Sequence, residues 1–390
     1  MDDVRDEILD LFDADETVLH LNPGAFGMVP RAVRTVQRRW AERIEQNPLR
    51  FFRLECQEEL ARVRLDVARF LDADADSIAL VRNVSEATGI VLDAVGVGPG
   101  DEVVVSNHGY PTIAQAALVR GAEVVVANFG IDATDDEIAQ AFREQVGERT
   151  KLVVVDQITS PTALVLPVAK VVQAVGDTPV FVDAAHSAGT LDLDIAALGA
   201  AFWATNLHKW CFTPRGTGAL WVTADWRERA RPAVTSWTSE KGFPASHDFP
   251  GTIDFTGMLA IAEGLEFWRA HGGLQIAERS RQLLSIGSEL VHRRVAMALP
   301  DAMPDYDASW PARTAPTMRI IPLPDGAVSE PGDVSALYAA LSGRGVECPP
   351  VAFEGMGLVR LGAGLHNDEL DYDRYAEALV AELGRRFDDY

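Results

Sequence analysis

Between residues 77 and 222 the chain alternates short Val-rich apolar runs with longer amphipathic stretches, and this alternation limits the fold more than any other feature. The runs are SIALV (77–81), EVVVS (102–106), AEVVVA (122–127), KLVVVD (151–156), PVFVDA (179–184), AAFWAT (200–205) and TGALWV (217–222). Helix-like stretches at 84–95, 111–120, 134–146 and 167–176 lie between several of them. Continuously apolar strands joined by helical crossovers predict a buried, mostly parallel sheet with helices on both faces. Polar and small residues follow the strands, at Ser106–Tyr110, Asp183–Gly189 and Asn206–Lys209. In open α/β sheets the carboxyl ends of the strands are where ligands bind.

After residue 255 the pattern changes. Long helices are expected at 256–271 and 273–298, and a Pro-rich loop at 299–316. A smaller α+β unit follows, with strands at TMRIIPL (317–323), GVEC (345–348) and LVRLGA (358–363) and helices at 333–343 and 367–386. The expected division is an N-terminal segment (1–19) packed on the small domain, a large α/β domain (20–255), connecting helices (256–298) and a small C-terminal α+β domain (299–390).

The formal net charge is −23, which argues against nucleic acid and anionic membrane as partners, since both need a basic surface. The acidic N-terminus has no apolar signal segment, and no apolar run reaches membrane-spanning length. The three cysteines, Cys56, Cys211 and Cys348, are widely spaced and form no CxxC pair. A reduced, cytoplasmic protein without a bound metal is expected.

One residue stands apart. Of the 35 basic residues only four are lysines: Lys151, Lys170, Lys209 and Lys241. Lys209 lies in WATNLHKWCFTPRG (203–216), between aromatics and at a strand's carboxyl end. Burial can turn a lysine into a neutral, nucleophilic amine, which an arginine cannot become. An aldehyde cofactor, pyridoxal 5'-phosphate (PLP), would use such a lysine as a Schiff base. It also needs a carboxylate at its ring nitrogen, amides for its phosphate and a flat side chain against its ring. Asp183 ends the strand PVFVD, NVSEATG (83–89) opens a helix after a strand and so offers an anion site, and NHGYP (107–111) supplies His108 and Tyr110.

Several motifs then occur in order: HLNPGAFGMVPRAV (20–33), NVSEATGIVL (83–92), DQITSPTALVLPV (156–168), VDAAHSAG (182–189), NLHKWCFTPRGTGAL (206–220), PGTIDFTGMLA (250–260) and LVRLGAGLHND (358–368). Over about residues 18–380 the chain resembles the class V aminotransferase family of fold-type I PLP-dependent enzymes, in its isopenicillin N epimerase-like branch. The resemblance implies that Lys209 carries the cofactor and Asp183 pairs with its ring nitrogen. His186 would lie near the phenolic oxygen. Tyr110 would stack on the ring, or His108 if the register slips by two. Val84 and Ser85 would bind the phosphate through backbone amides, with Asn206 and His208 adding side-chain contacts. Thr252 resembles a threonine that reaches the phosphate of the neighbouring subunit, which implies a homodimer with shared sites. Arg360 resembles the clamp for a substrate carboxylate, with Asn22 and Ser160 as further substrate contacts.

The resemblance implies a small amino-acid substrate and loss of its Cα proton. It leaves open epimerisation or β-elimination at an S-substituted cysteine, with desulfurase-like or aminotransferase activity as alternatives. A desulfurase needs a reactive cysteine on a mobile loop; Cys348, 12 residues before Arg360, reads instead as part of a strand. No GxGxxG follows any strand, which disfavours a nicotinamide oxidoreductase. Joint retention of Lys209, Asp183 and Arg360 argues against a catalytically silent interaction protein on the same fold.

Overall fold

The structure is a computed structural model that describes residues 7–300, 302–304, 306–307 and 310–388. Its residues divide into two compact units. The larger holds 29–160 and 165–271; the smaller holds 7–28, 161–164 and the chain from Gly272 onward. The expected block of connecting helices is therefore split at Gly272, and its second helix belongs to the small unit.

The chain enters through β1 (Leu19–His20) of the smaller unit and continues into α1 (Arg31–Gln46) and α2 (Cys56–Phe70) of the larger one. The strands β2 (Ile78–Val81), β3 (Glu102–Ser106), β4 (Glu123–Ala127), β5 (Thr150–Asp156), β6 (Val180–Asp183), β7 (Phe202–Asn206) and β8 (Gly218–Val222) then form one sheet in the order β2-β8-β7-β6-β5-β3-β4. Six strands run the same way. β8 opposes them, because the chain returns to the sheet beside β7 through a short excursion rather than a helical crossover. Strands β6, β7 and β8 are buried along their whole length, as their unbroken apolar runs predict. Val103, Leu152, Val154, Phe181 and Phe202 form the centre of this core with Ile90 and Val91. Each such side chain contributes roughly 1.5–3 kcal/mol by leaving water.

The crossover helix α3 (Val84–Val95) shows why the local sequence folds as it does. The Asn83 side chain accepts the Glu86 amide at 2.9 Å, the Glu86 carboxylate accepts the Arg82 amide at 2.6 Å, and Gly96 ends the helix in the left-handed region. The expected helix at 256–271 is two helices, Thr256–Leu259 and Ile261–Ala270.

In the smaller unit β9 (Met318–Pro322), β10 (Val346–Glu347), β11 (Pro350–Phe353) and β12 (Met356–Gly362) follow the helix Leu274–Ala298. β12 lies between β11 and β9 in an antiparallel sheet, whereas β10 pairs only with β1, in parallel. The GVEC strand is thus not a member of the small sheet. β11 begins on Pro350 at a sheet edge, where proline costs no ladder bond; the proline hid it from the sequence pattern. The helix Glu369–Asp388 packs on Leu274–Ala298, with the Tyr372 ring lying on Gly287.

Candidate active site

The site of the larger unit is built where β5, β6 and β7 end. Asp183 is the last residue of β6, and its carboxylate accepts the Ala185 amide at 2.9 Å. The chain then turns through His186 to Gly189, with the Thr190 hydroxyl donating to the His186 carbonyl at 2.7 Å. Gly189 has φ +81°, and a Cβ there would stand 3.0 Å from the Trp210 carbonyl. Only glycine therefore lets this turn close against the four-residue helix Leu207–Trp210, which carries Lys209. The result is a short polar contact in a buried setting: Lys209 Nζ lies 3.1 Å from His186 Nε2. Asp183 and His186 are both buried, and Lys209 is partly so. Burial pushes the Asp183 carboxyl upward, while the Ala185 amide and the Lys209 charge pull it back.

The start of α3 forms the second wall. Asn206 Oδ1, at the end of β7, accepts the Val84 amide at 3.0 Å. The Val84 amide is thus engaged by a side chain of the neighbouring strand end. Ser85 is exposed in the first turn, among the amides that a helix cannot satisfy internally, and keeps the features of an anion site. His208 is held by the backbone. Its Nδ1 is 2.8 Å from the Thr217 carbonyl, which can only accept, so Nδ1 carries the hydrogen. Burial holds His208 below its usual range, and Lys209 and Arg215 add to this.

Tyr110 stands before the first turn of the helix Pro111–Val119 with its side chain 47% exposed. His108 does not match the role of stacking ring. It is wholly buried, its ring stacks on Phe129 at 4.5 Å, and its Nε2 donates to the Phe129 carbonyl at 3.0 Å. Thr252 is exposed in the loop after Gly251, and Ser160 is partly buried after the end of β5.

In the smaller unit Arg360 lies in the middle of β12, and its Nη2 donates to Asn22 Oδ1 at 2.8 Å. Burial lowers the guanidinium to about 10, still charged at neutral pH. Cys348 is wholly buried, its thiol is pushed up to about 12, and its Sγ donates to the Arg360 carbonyl at 3.7 Å. It packs the strand rather than presenting a nucleophile.

Sequence reasoning missed Asp156. It ends β5 in register with Asp183 at the end of β6, and both carboxyls are buried. The signal was present: KLVVVD and PVFVD are two apolar strands ending on the same residue type.

A mostly parallel sheet carrying a partly buried lysine and a buried histidine and aspartate at its strand ends, with a second α+β unit, is the fold of a fold-type I PLP-dependent enzyme. The profile of the family Aminotransferase class-V matches residues 30–297, and the chain belongs to this family, whose cofactor is PLP. It is 28% identical to isopenicillin N epimerase of Streptomyces clavuligerus, over 95% of this chain and 96% of that one. It is also 28% identical to a probable chloroplastic L-cysteine desulfhydrase of Arabidopsis thaliana, over 71% of this chain and 64% of the relative's length. In structure it resembles the cystine C–S lyase C-DES in complex with its product cysteine persulfide, with a TM-score of 0.75 and 20% identity over 94% of this chain and 98% of that chain. No helix among the described residues is long and apolar enough to cross a membrane.

The residues present fit the cofactor. An amine held against an imidazole, a buried carboxylate and an open helix start meet the three needs of an aldehyde, a ring nitrogen and a phosphate.

Proposed function

We propose that the protein is a PLP-dependent lyase that removes the Cα proton of an S-substituted cysteine and expels its sulfur. PLP, when bound, supplies a sink for the electron pair left at Cα. Lys209 is the group that would hold the cofactor and whose amine, when free, would accept the Cα proton. His186, in contact with Lys209 Nζ, fixes where that amine points. Asp183 supplies the negative charge that keeps the cofactor's ring nitrogen protonated. Ser85 and the start of α3 receive the phosphate, Tyr110 covers the ring, and Thr252 of a second copy completes the phosphate contacts in a homodimer. Arg360, oriented by Asn22, anchors the substrate carboxylate; a bidentate guanidinium fixes the direction of the Cα–H bond. Ser160 is a further substrate contact.

In the elimination the Cα proton passes to Lys209 and the Cβ–S bond breaks. The sulfur leaves with the bonding pair as a thiolate and takes the proton from Lys209 to become a thiol, and the enamine left behind tautomerises and takes up water to give pyruvate and ammonia. The observation that carries this reading is the placement of His108. Epimerisation needs a second acid on the face opposite Lys209, and of the two residues after β3 one, His108, is sealed against Phe129. The other, Tyr110, lies flat on the ring in the proposed arrangement and is badly placed to deliver a proton. A second reading, epimerisation, draws on the match to isopenicillin N epimerase over 95% of the chain.

Turnover in deuterated water separates the two. Pyruvate, ammonia and a thiol from an S-substituted cysteine support the lyase. Recovered amino acid with inverted configuration and deuterium at Cα supports the epimerase. No Cα exchange with any amino acid of a broad panel overturns both.

A further inference from the structure

Asp156 and Asp183 end adjacent parallel strands in register, so their side chains leave the sheet on the same face, with Cα atoms about 4.8 Å apart. Both carboxyls are buried. Their surroundings differ. Asp183 meets the Ala185 amide and the charge of Lys209. Asp156 instead borders a cavity of about 180 Å³ under the 106–110 turn, whose walls include Val105, Ile113, Val124, Val126 and Val154. The turn sits directly on it: a Cβ at Gly109 would be 3.5 Å from Asp156 Oδ2, and Asp156 accepts the Tyr110 amide.

We propose that Asp156 is a positioning residue that retains a proton beside Asp183 and fixes the turn presenting Tyr110, so that the two carboxyls together carry one negative charge. The inference rests on the reading of Asp183 and Tyr110 given above. Two ionised carboxylates here would leave one without a cation, which buried sites do not tolerate. Both carboxyls accept an amide, but the charged neighbour of Asp183 is the Lys209 ammonium whereas that of Asp156 is the Asp183 carboxylate, so the proton belongs on Asp156. Burial and the Asp183 charge both push Asp156 well above the usual carboxylate range, and Asp183 is the charged group acting on it. A single charge matches a single protonated ring nitrogen. A neutral Asp156 keeps an oxygen for the Tyr110 amide and a hydrogen to donate.

Infrared spectra of the apoprotein at neutral pH, taken as differences between the wild type and each variant, test the proton. The carboxylic-acid carbonyl band should be present in the wild type and in Asp183→Asn, and absent in Asp156→Asn. No acid band in the wild type, or a band that persists in Asp156→Asn and vanishes in Asp183→Asn, overturns the proposal. These measurements on the apoprotein hold whether or not the lyase reading survives. Cofactor dissociation tests the positioning role. Asp156→Asn, which mimics the neutral acid, should keep PLP affinity within about threefold, whereas Asp156→Leu should weaken it about tenfold or more through loss of the Tyr110 contact. An Asn variant as weak as the Leu variant would show that shape and amide pairing at this position do not suffice, and would sink the idea.

Discussion

Lys209 and Arg360 are both cations set among apolar neighbours, yet the two units hold them in different ways. Lys209 rides on a four-residue turn after a parallel strand, and its amine touches an imidazole that can trade a proton with it. Arg360 is fixed in the middle of an antiparallel strand and donates to the amide oxygen of Asn22, which cannot take its proton. Burial weakens the guanidinium only to about 10. One setting suits a group that must gain and lose a proton, and the other suits a permanent charge. The difference between the two side chains is therefore also a difference between backbones, a short helix after a strand end and the middle of a strand.

The comparison breaks most readily at Lys209. Lys209→Ala should lower kcat by at least about 10³, because it removes the proposed base and the attachment point together. Lys209→Arg should not rescue it, since a guanidinium remains protonated. Borohydride reduction followed by peptide mapping should label Lys209 in the wild type. A label on Lys151, Lys170 or Lys241 would reassign the site. Arg360→Lys should act on binding instead. Loss of the forked donor should raise KM about 10- to 100-fold with a smaller change in kcat. A fall in kcat with KM unchanged would contradict the anchoring role.

How much of this was legible follows from the same contrast. The mostly parallel sheet and the strand-end placement of Asp183 and Lys209 were readable from unbroken apolar runs, because a parallel sheet buried on both faces leaves that trace. Arg360 had no such trace: a mid-strand arginine in a half-covered antiparallel sheet looks like a surface residue, and only the family resemblance singled it out. Pairing decisions were also hidden. Nothing in GVEC says that β10 leaves the small sheet to join β1, since register partners distant in sequence are set by tertiary packing. The same holds for the engagement of the Val84 amide by Asn206, 122 positions away, and for the sealing of His108 by Phe129. Asp156 was missed because a strand-terminal aspartate reads as a turn residue until its neighbour on the next strand is known.

Cys348 sharpens the small-unit side of the comparison. Cys348→Ala should leave turnover within about twofold and cost about 2 kcal/mol of stability, as a core truncation does. A collapse of activity at unchanged stability would restore a reactive-cysteine mechanism despite the buried thiol.

The smallest effect tests whether burying charge is by itself enough to mark a site. The larger unit also holds an ion pair away from that site, the partly buried Arg64 with the buried Asp248 at 3.2 Å, beside the buried His247, and none of the three carries a role in the proposed chemistry. Burial raises Asp248 to about 6 from 3.8, and Arg64 opposes the shift. Burial lowers His247 to about 4 from 6.5. Between about pH 4 and 6 the folded protein therefore binds a proton at Asp248 that the unfolded chain lacks, which favours folding as pH falls. Over the same window the unfolded chain binds a proton at His247 that the folded protein refuses, which opposes folding as pH falls. The two contributions have opposite signs and nearly cancel in the wild type. Asp248→Asn should leave only the histidine, so its melting temperature should drop on acidification from about pH 6.5 to 4. His247→Gln should leave only the aspartate, so its stability should rise from about pH 6 down to 4. Each departure from the wild-type profile is expected on the order of 1–2 kcal/mol, with turnover at neutral pH unaffected. Parallel acid profiles in all three proteins would show that these groups titrate alike in the folded and unfolded states. A loss of turnover at neutral pH in His247→Gln would place this second cluster in the chemistry and remove the contrast with Lys209.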